Sequence, residues 1–311
     1  MSFEVITGNH AAGYALSAAG EANRTARGVA CGIYPITPLT EIVEYVAKFP
    51  FSKGRVVPVE SEHSAMAVSM GASISGARAF TASSANGLAY MAENVMVAGY
   101  YRLPIVMVAV NRTLGPPWNI WADQGDTLAL RDFAWLQFYC ETNQEVLDTT
   151  LLAFRIAEDR RVLLPVLVCM DAFIVSHTQG ETSLPEQADV DRFLPDLDLP
   201  HRMHYDEART LGGLAWPQEG LSGRLEIDAA MKRVPDVYEE SREAFEDTFG
   251  RDPGAAVQTF DTADADVVLV ASGTMATTAR EVVRKRRDAG EKIGLAKIKM
   301  YRPFPADELR E

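Results

Sequence analysis

The chain has 311 residues, 47% of them hydrophobic, and a net charge of −13. That length accommodates about two domains, and the apolar fraction excludes global disorder. The acidic balance excludes a nucleic-acid phosphate partner, because no basic stripe is present to release counterions, and no apolar run approaches the ~18–20 residues of a membrane span.

The N-terminal stretch Met1-Ser2-Phe3-Glu4-Val5 has no basic region and no apolar core, so no secretory signal is expected. Asn9 is placed to cap a helix running to about residue 27, with Ala12, Ala15, Ala19 and Ala22 on one face and Gly28 as its stop. Residues 29–34 read as a buried strand. Thr37-Pro38 then reads as an N-cap followed by proline at the first helical position. Residues 56–59 form the next strand, and Ser61 caps a helix rich in small residues (Ala65, Ala67, Ala72, Ser73, Ser75). Small side chains let such a helix approach a sheet or another subunit closely. Residues 79–82, 105–110, 136–140 and 166–170 supply further strands, with helices at 89–100 and 144–159. This alternation predicts a doubly wound, mostly parallel α/β sheet.

Around Asp171 the pattern breaks. Residues 176–223 are rich in Pro, Gly, His and Asp and lack periodicity. Such a stretch is too long for an ordinary connection, so it is expected to wrap another surface or act as a lid. Residues 227–249 return to helical spacing with many charges. Residues 267–271 form a strand, Ser272-Gly273-Thr274 turns into a helix through residue 287, Gly290 ends it, and 293–300 is another strand. Two strands cannot close a sheet alone. This second α/β unit therefore either packs on the first domain or the chain ends early at Glu311. The expected division is a first domain over 1–175, an irregular linker and charged helix over 176–260, and a partial second domain over 261–311.

Cys31, Cys140 and Cys169 are far apart and odd in number. They point to a reducing, cytoplasmic compartment and exclude a four-cysteine iron–sulfur cluster within the chain. Their plainest role is that of small buried residues on strands.

Three short motifs sit where predicted strands end. They are Tyr34-Pro35-Ile36-Thr37-Pro38, Val59-Glu60-Ser61-Glu62-His63-Ser64-Ala65 and Val110-Asn111-Arg112. That edge of an open α/β sheet is where ligands bind, so a hydroxyl, a carboxylate and a guanidinium are expected to face one crevice. Each also has an ordinary structural role open to it. Thr37 can be a plain cap, Glu62 an acid favoured at a helix start, and Arg112 a partner in a surface ion pair. His63 is either a proton shuttle or a satisfied helix histidine.

With Thr81-Ala82-Ser83-Ser84 and Gly87-Leu88 in register between them, these motifs resemble the alpha subunit, or first domains, of the 2-oxoacid:ferredoxin oxidoreductases over nearly the whole chain. The segments Asn119-Ile120-Trp121-Ala122-Asp123 with Asp126, and Arg131-Asp132, look like the pyruvate-type branch. The stretches around Ser272-Gly273-Thr274 and Tyr301-Arg302-Pro303-Phe304 resemble that family's transketolase-C-like domain. The resemblance implies a domain of the thiamine-diphosphate pyrimidine-binding type, and thiamine diphosphate shared with a partner chain. A beta subunit would hold the diphosphate and Mg²⁺ through a Gly-Asp-Gly motif, which this sequence lacks. The 4Fe–4S clusters would sit on a ferredoxin-like iron–sulfur subunit.

By the same resemblance Glu62, not Glu60, is the carboxylate that exchanges a proton with the cofactor's pyrimidine ring. Thr37, Pro38, Ser83, Ser84 and Gly87 line the cofactor, with the serines and Gly87 forming a small, flexible turn. Arg112 and Thr37 receive the substrate carboxylate. Beside Gln124, the loop aromatics Trp118 and Trp121 either wall a substrate pocket or serve as packing or interface anchors. The pyruvate branch commonly has Asp-His where Asp123-Gln124 stands here. Pyruvate and a bulkier or aryl 2-oxoacid such as phenylglyoxylate therefore both stay open. The reading is an enzyme subunit that converts a 2-oxoacid and coenzyme A into acyl-CoA, CO2 and two electrons. Its alternatives are a non-redox thiamine-dependent decarboxylase or transketolase relative, and a non-catalytic scaffold. A nucleotide-binding scaffold would want a Gly-rich loop after the first strand, and Gly32-Ile33-Tyr34-Pro35 lacks it.

Overall fold

The computed structural model describes residues 2–204, 206 and 210–310. The chain runs β1 (Ser2–Thr7), α1 (Gly8–Ala22), β2 (Val29–Ile33), α2 (Thr40–Lys48), β3 (Gly54–Pro58), α3 (Glu62–Ile74) and β4 (Arg78–Ser83). It continues through α4 (Ala85–Tyr90), α5 (Ala92–Tyr100), β5 (Ile105–Asn111), α6 (Gly125–Leu128), β6 (Leu136–Cys140), α7 (Asn143–Glu158) and β7 (Val166–Asp171). Then come β8 (Gln179–Leu184), α8 (Gln187–Phe193), α9 (Pro217–Phe249), β9 (Val257–Phe260), β10 (Val267–Ala271), α10 (Thr274–Asp288), β11 (Ile293–Ile298) and β12 (Met300–Arg302).

The central sheet has the order β12-β6-β7-β5-β4-β2-β3. Its pairings are parallel except β12 with β6, as the βα alternation predicts. Strand β5 shows why the pattern is legible. Val106, Val108 and Val110 face a core that includes α1 and α7, while Ile105, Met107 and Ala109 face one that includes α3 and α5. A strand covered on both faces must be apolar at every position. Chain order reverses between β2 and β4, the place where such sheets leave a ligand crevice.

Helix α3 lies directly on that switch point because its contact residues are small. A Cβ added at Gly32 would stand 2.3 Å from the Ala65 carbonyl oxygen. Ser69 on α3 accepts from the Gly32 N–H (3.3 Å), and its hydroxyl donates to the Phe80 carbonyl on β4 (2.9 Å). Ser61 caps this helix by accepting from the Ser64 N–H, as its sequence predicts.

Elsewhere long-range contacts override the local signals. Thr7, not Asn9, caps α1 by accepting from the His10 N–H. Asn9 is fully buried and donates to the Pro38 carbonyl and to Glu41, both at 2.7 Å. The helix also ends at Ala22, short of residue 27, and Asn23 donates to the Gly28 carbonyl to close the following turn. Thr37-Pro38 does not open a helix. A turn intervenes, with the Leu39 N–H donating to Ile36 (2.9 Å), and α2 begins at Thr40. The Pro38 carbonyl, which would accept the Ile42 N–H in a helix begun there, is taken by Asn9, and the Ile42 N–H donates to Leu39 instead (2.8 Å). The helix expected over 89–100 is two helices that meet at Met91.

The stretch 176–223 is irregular only in part: the described residues between Phe193 and Pro217 lie in no helix or strand, but its two ends do. Within it β8 pairs antiparallel with β1, α8 docks on α1 with Gln187 Nε2 donating to the Ala18 carbonyl and Asp191 pairing with Arg24 just beyond the end of α1, and α9 begins at Pro217. The strand expected over 293–300 divides at the buried Lys299. Strand β11 stays in a three-stranded sheet of order β10-β11-β9, and β12 crosses into the central sheet. The second unit therefore packs on the first. Among the described residues no helix is long and apolar enough to cross a membrane.

Candidate active site

Glu62 opens α3 and is only 7% exposed. Facing it is the start of α4. A Cβ added at Gly87 would lie 2.7 Å from Glu62 Oε1 and 2.5 Å from Ser83 Oγ, so these three groups meet in one corner. Ser83 Oγ is buried without a hydrogen-bond partner, and among the described residues no hydrogen bond ends on the Glu62 carboxylate. Buried polar groups left unpaired are costly and rare. This corner therefore suits a polar ring that brings its own donor and acceptor, as an aminopyrimidine does. Glu60 differs. It is exposed and takes the Ser64 hydroxyl, which holds its carboxyl below the ordinary range.

The turn beyond Ser83 is packed rather than flexible. Ser84 Oγ donates to the Val110 carbonyl at 2.6 Å, tying the ends of β4 and β5 together. Ala85 adopts φ +43°, in the left-handed region that a non-glycine residue enters only when its surroundings hold it there. Its N–H donates to Asp126 Oδ2 at 2.9 Å. Asp126, 2% exposed, also accepts from the Arg112 N–H (3.2 Å), the Thr127 N–H (2.8 Å) and Asn111 Nδ2 (2.7 Å). Burial pushes its carboxyl up to about 6, against the downward pull of those four N–H donors.

Arg112 leaves the end of β5 half-buried. Its Nε is buried without a hydrogen-bond partner, and among the described residues no carboxylate forms an ion pair with it. Thr37 is exposed and Pro38 is buried beneath it, and no hydrogen bond among the described residues links Thr37 to Glu62 or Arg112. Trp118 and Trp121 are 69% and 67% exposed. Trp121 meets the Phe173 ring edge-on, with centroids 5.9 Å apart. Gln124 turns its amide to Asp171 (3.2 Å), whose other oxygen accepts the Thr274 N–H (2.8 Å) and hydroxyl. His63 pairs with Glu93 at 3.7 Å, the plainer of its two readings.

The hub role of Asp126, the use of Asn111 as its donor and the tie at Asp171 carry no local signal. Asp126 lies in a four-residue helix with no apolar period. Only the meeting of two strand ends, those of β4 and β5, makes it central.

Residues 21–247 match the family described as pyruvate flavodoxin/ferredoxin oxidoreductase, thiamine diphosphate-binding, and residues 265–311 match pyruvate:ferredoxin oxidoreductase core domain II. The chain is 43% identical to pyruvate synthase subunit PorA of Methanothermobacter thermautotrophicus, over 100% of this chain and 80% of that relative. It is 42% identical to ketoisovalerate oxidoreductase subunit VorA of Pyrococcus horikoshii, over 99% of this chain and 77% of that one. In fold it is similar to the solved 2-oxoglutarate:ferredoxin oxidoreductase of Magnetococcus marinus, with a TM-score of 0.76 at 20% identity, covering 99% of this chain and 55% of that chain. The transketolase of Leishmania mexicana shares the fold at a TM-score of 0.57 and 14% identity, over 98% of this chain and 36% of that one.

Proposed function

The chain belongs to the pyruvate flavodoxin/ferredoxin oxidoreductase family, and from that premise we propose that it is the alpha subunit of a cytoplasmic, thiamine-diphosphate-dependent 2-oxoacid oxidoreductase. The reaction is 2-oxoacid plus coenzyme A giving acyl-CoA, CO2, one proton and two electrons, which leave for an external acceptor. The observation that carries the reading is the corner where buried Glu62 meets Gly87 and the unpaired Ser83 hydroxyl.

Thiamine diphosphate, when bound, would supply a nucleophilic carbon for the 2-oxoacid carbonyl. Glu62 exchanges a proton with a pyrimidine ring nitrogen, and its burial limits competition from water. Ser83, Ser84 and Gly87 shape the floor for the ring, and Thr37 with Pro38 borders it. Arg112 offers the substrate carboxylate a planar two-pronged donor, with the Thr37 hydroxyl beside it. Mg²⁺ and the diphosphate fall to a beta subunit, because no Gly-Asp-Gly motif is present. The 4Fe–4S clusters fall to a ferredoxin-like subunit, because Cys31, Cys140 and Cys169 are free, buried and dispersed. Trp118 and Trp121 offer aromatic surface beside Gln124 for a bulky acyl group. Burying an aryl ring there is worth about 1.5–3 kcal/mol, roughly ten- to hundredfold in affinity.

The test is the assembled complex on pyruvate, ketoisovalerate and phenylglyoxylate, with coenzyme A and an artificial one-electron acceptor. The expected result is acceptor reduction that requires coenzyme A. CO2 release needing neither coenzyme A nor acceptor would mark the non-redox alternative. A scaffold would leave turnover unchanged in Glu62→Gln and in Arg112→Lys alike. Trp121→Ala is expected to lower kcat/KM for the aryl acid more than for pyruvate, and an equal effect on both would remove Trp121 from the substrate site.

A further inference from the structure

We propose that Asp126 is the positioning residue of this site, an anion whose two oxygens hold the Ala85 turn and the Arg112 backbone in register with each other. The inference rests on the functional reading above, and its ground is a count of donors. Oδ2 accepts the backbone N–H groups of Ala85 and Arg112, and Oδ1 accepts the Thr127 N–H and Asn111 Nδ2. All four neighbours are donors and none is an acceptor. A protonated carboxyl would turn its own O–H against an N–H and release one of these pairs.

The two loops that Oδ2 joins carry separate parts of the site. Ala85 follows the serines that meet Glu62 and leads to Gly87. The Arg112 backbone sets the origin of the guanidinium. Loss of the shared acceptor therefore disturbs the cofactor floor and the substrate fork together, through backbone rather than through chemistry. The left-handed conformation of Ala85 agrees with this, since something must hold it there. The groups facing Asp126 from the packed elements are Arg112 at the end of β5, Tyr139 on β6 and Cys169 on β7. Burial raises the last two, so both stay neutral across the working range. Asp126 itself is pushed up to about 6, and its Asn111 bond pulls it down. An acidic limb near that pH is expected in kcat/KM.

The experiment compares wild type, Asp126→Asn, Asn111→Ala and Arg112→Lys in the assembled complex, with pH profiles of kcat and KM for the 2-oxoacid. Asp126→Asn is expected to lower kcat/KM about a hundredfold, the scale of a misplacement of roughly 1 Å, with a rise in KM and loss of the acidic limb. Asn111→Ala keeps both backbone bonds on Oδ2 and is expected to move that limb to higher pH. A merely structural role would lower stability without moving it. Wild-type kcat/KM in a folded Asp126→Asn complex, or a limb unmoved by Asn111→Ala, overturns the inference. If Asp126→Asn does not assemble, the Asn111→Ala limb decides alone. An unimpaired Arg112→Lys variant would instead overturn the substrate role of Arg112, whichever way Asp126 falls.

Discussion

At the scale of single residues the proposed site turns on the Glu62 carboxylate and on the side chain that Gly87 lacks. Glu62→Gln keeps the volume and loses the exchangeable proton. The expected outcome is an intact fold with proton exchange at the reactive carbon of bound thiamine nearly abolished, and the loss appearing in turnover rather than binding. Wild-type exchange, followed by deuterium incorporation, would remove Glu62 from the chemistry. Gly87→Ala makes a complementary prediction. Its Cβ would fall 2.7 Å from Glu62 Oε1 and 2.5 Å from Ser83 Oγ, both side-chain ends that can move. The new methyl displaces the carboxylate and costs about 1–3 kcal/mol as overpacking. Activity is therefore expected to fall far more than the melting temperature. A variant with full activity would show that the corner is not where the ring sits. Gly87 was legible only as part of a motif. That it leaves room for Glu62 follows from two elements meeting, which no single segment encodes.

At the scale of elements the two α/β units are joined by charge buried between α7 and β11. Lys297 is 1% exposed, with its ammonium 2.7 and 2.8 Å from the Glu145 oxygens and 3.0 Å from Glu141. Arg280 on α10 adds a second cation to Glu141 at 2.8 Å. Lys297→Met leaves buried carboxylates undercompensated and is expected to destabilise the chain by about 3–5 kcal/mol. Denaturant titration checks this, and a change under about 1 kcal/mol would refute it.

The same cluster sets an acid limit. Burial pushes Glu141 up, but Arg280, Lys297 and Thr277 together pull it down to about 2, below its ordinary 4.5. Its contribution to stability is thus full above about pH 4.5 and is lost as pH falls towards 2. Asp126 has the opposite sign. Raised from 3.8 to about 6, it disfavours folding progressively as pH rises from about 4 to 6. Acid unfolding below pH 4 should therefore weaken in an Arg280→Ala variant and be unaffected by Asn111→Ala. An acid midpoint that Arg280→Ala leaves in place would refute the assignment to Glu141. The helix and strand pattern here reads well from sequence, but the ion cluster does not. A lysine inside an apolar strand has no local reason to be buried until α7 supplies its counterions.

At the scale of the whole molecule the proposed site gathers at one edge of the central sheet. Glu62, Ser83 and Arg112 lie at the carboxyl edge of the central sheet, and the Asp171–Thr274 bond anchors α10 beside them. Nothing in the sequence supplies a diphosphate and Mg²⁺ cradle. The isolated chain is therefore expected to bind thiamine diphosphate only weakly, with micromolar or tighter affinity appearing on addition of the partner. Calorimetry on the chain alone would overturn the split-site reading if it found tight binding.

What the sequence by itself determined is whatever depends on neighbouring residues. The continuous apolar run of β5 shows a strand buried on both faces. Ser61 announces the start of α3. The ordered motifs put Glu62, Arg112 and the serine turn at the ends of strands, because each motif is a short segment spanning one strand end. What only the tertiary structure decided depends on segments distant in the chain. Strand β8 has no recognisable partner until β1 arrives beside it, and residues 293–300 look like one strand until Lys299 directs β12 into another sheet. Asn9 reads as a cap until Pro38 and Glu41 take its amide. Asp126 is one acid among many until the ends of β4 and β5 bring it three donors and no acceptor, beside the N–H of its neighbour Thr127. Local propensities are worth tenths of a kcal/mol per residue, whereas leaving one buried donor unpaired costs about 1–3 kcal/mol. Where the two conflict, the long-range contact prevails.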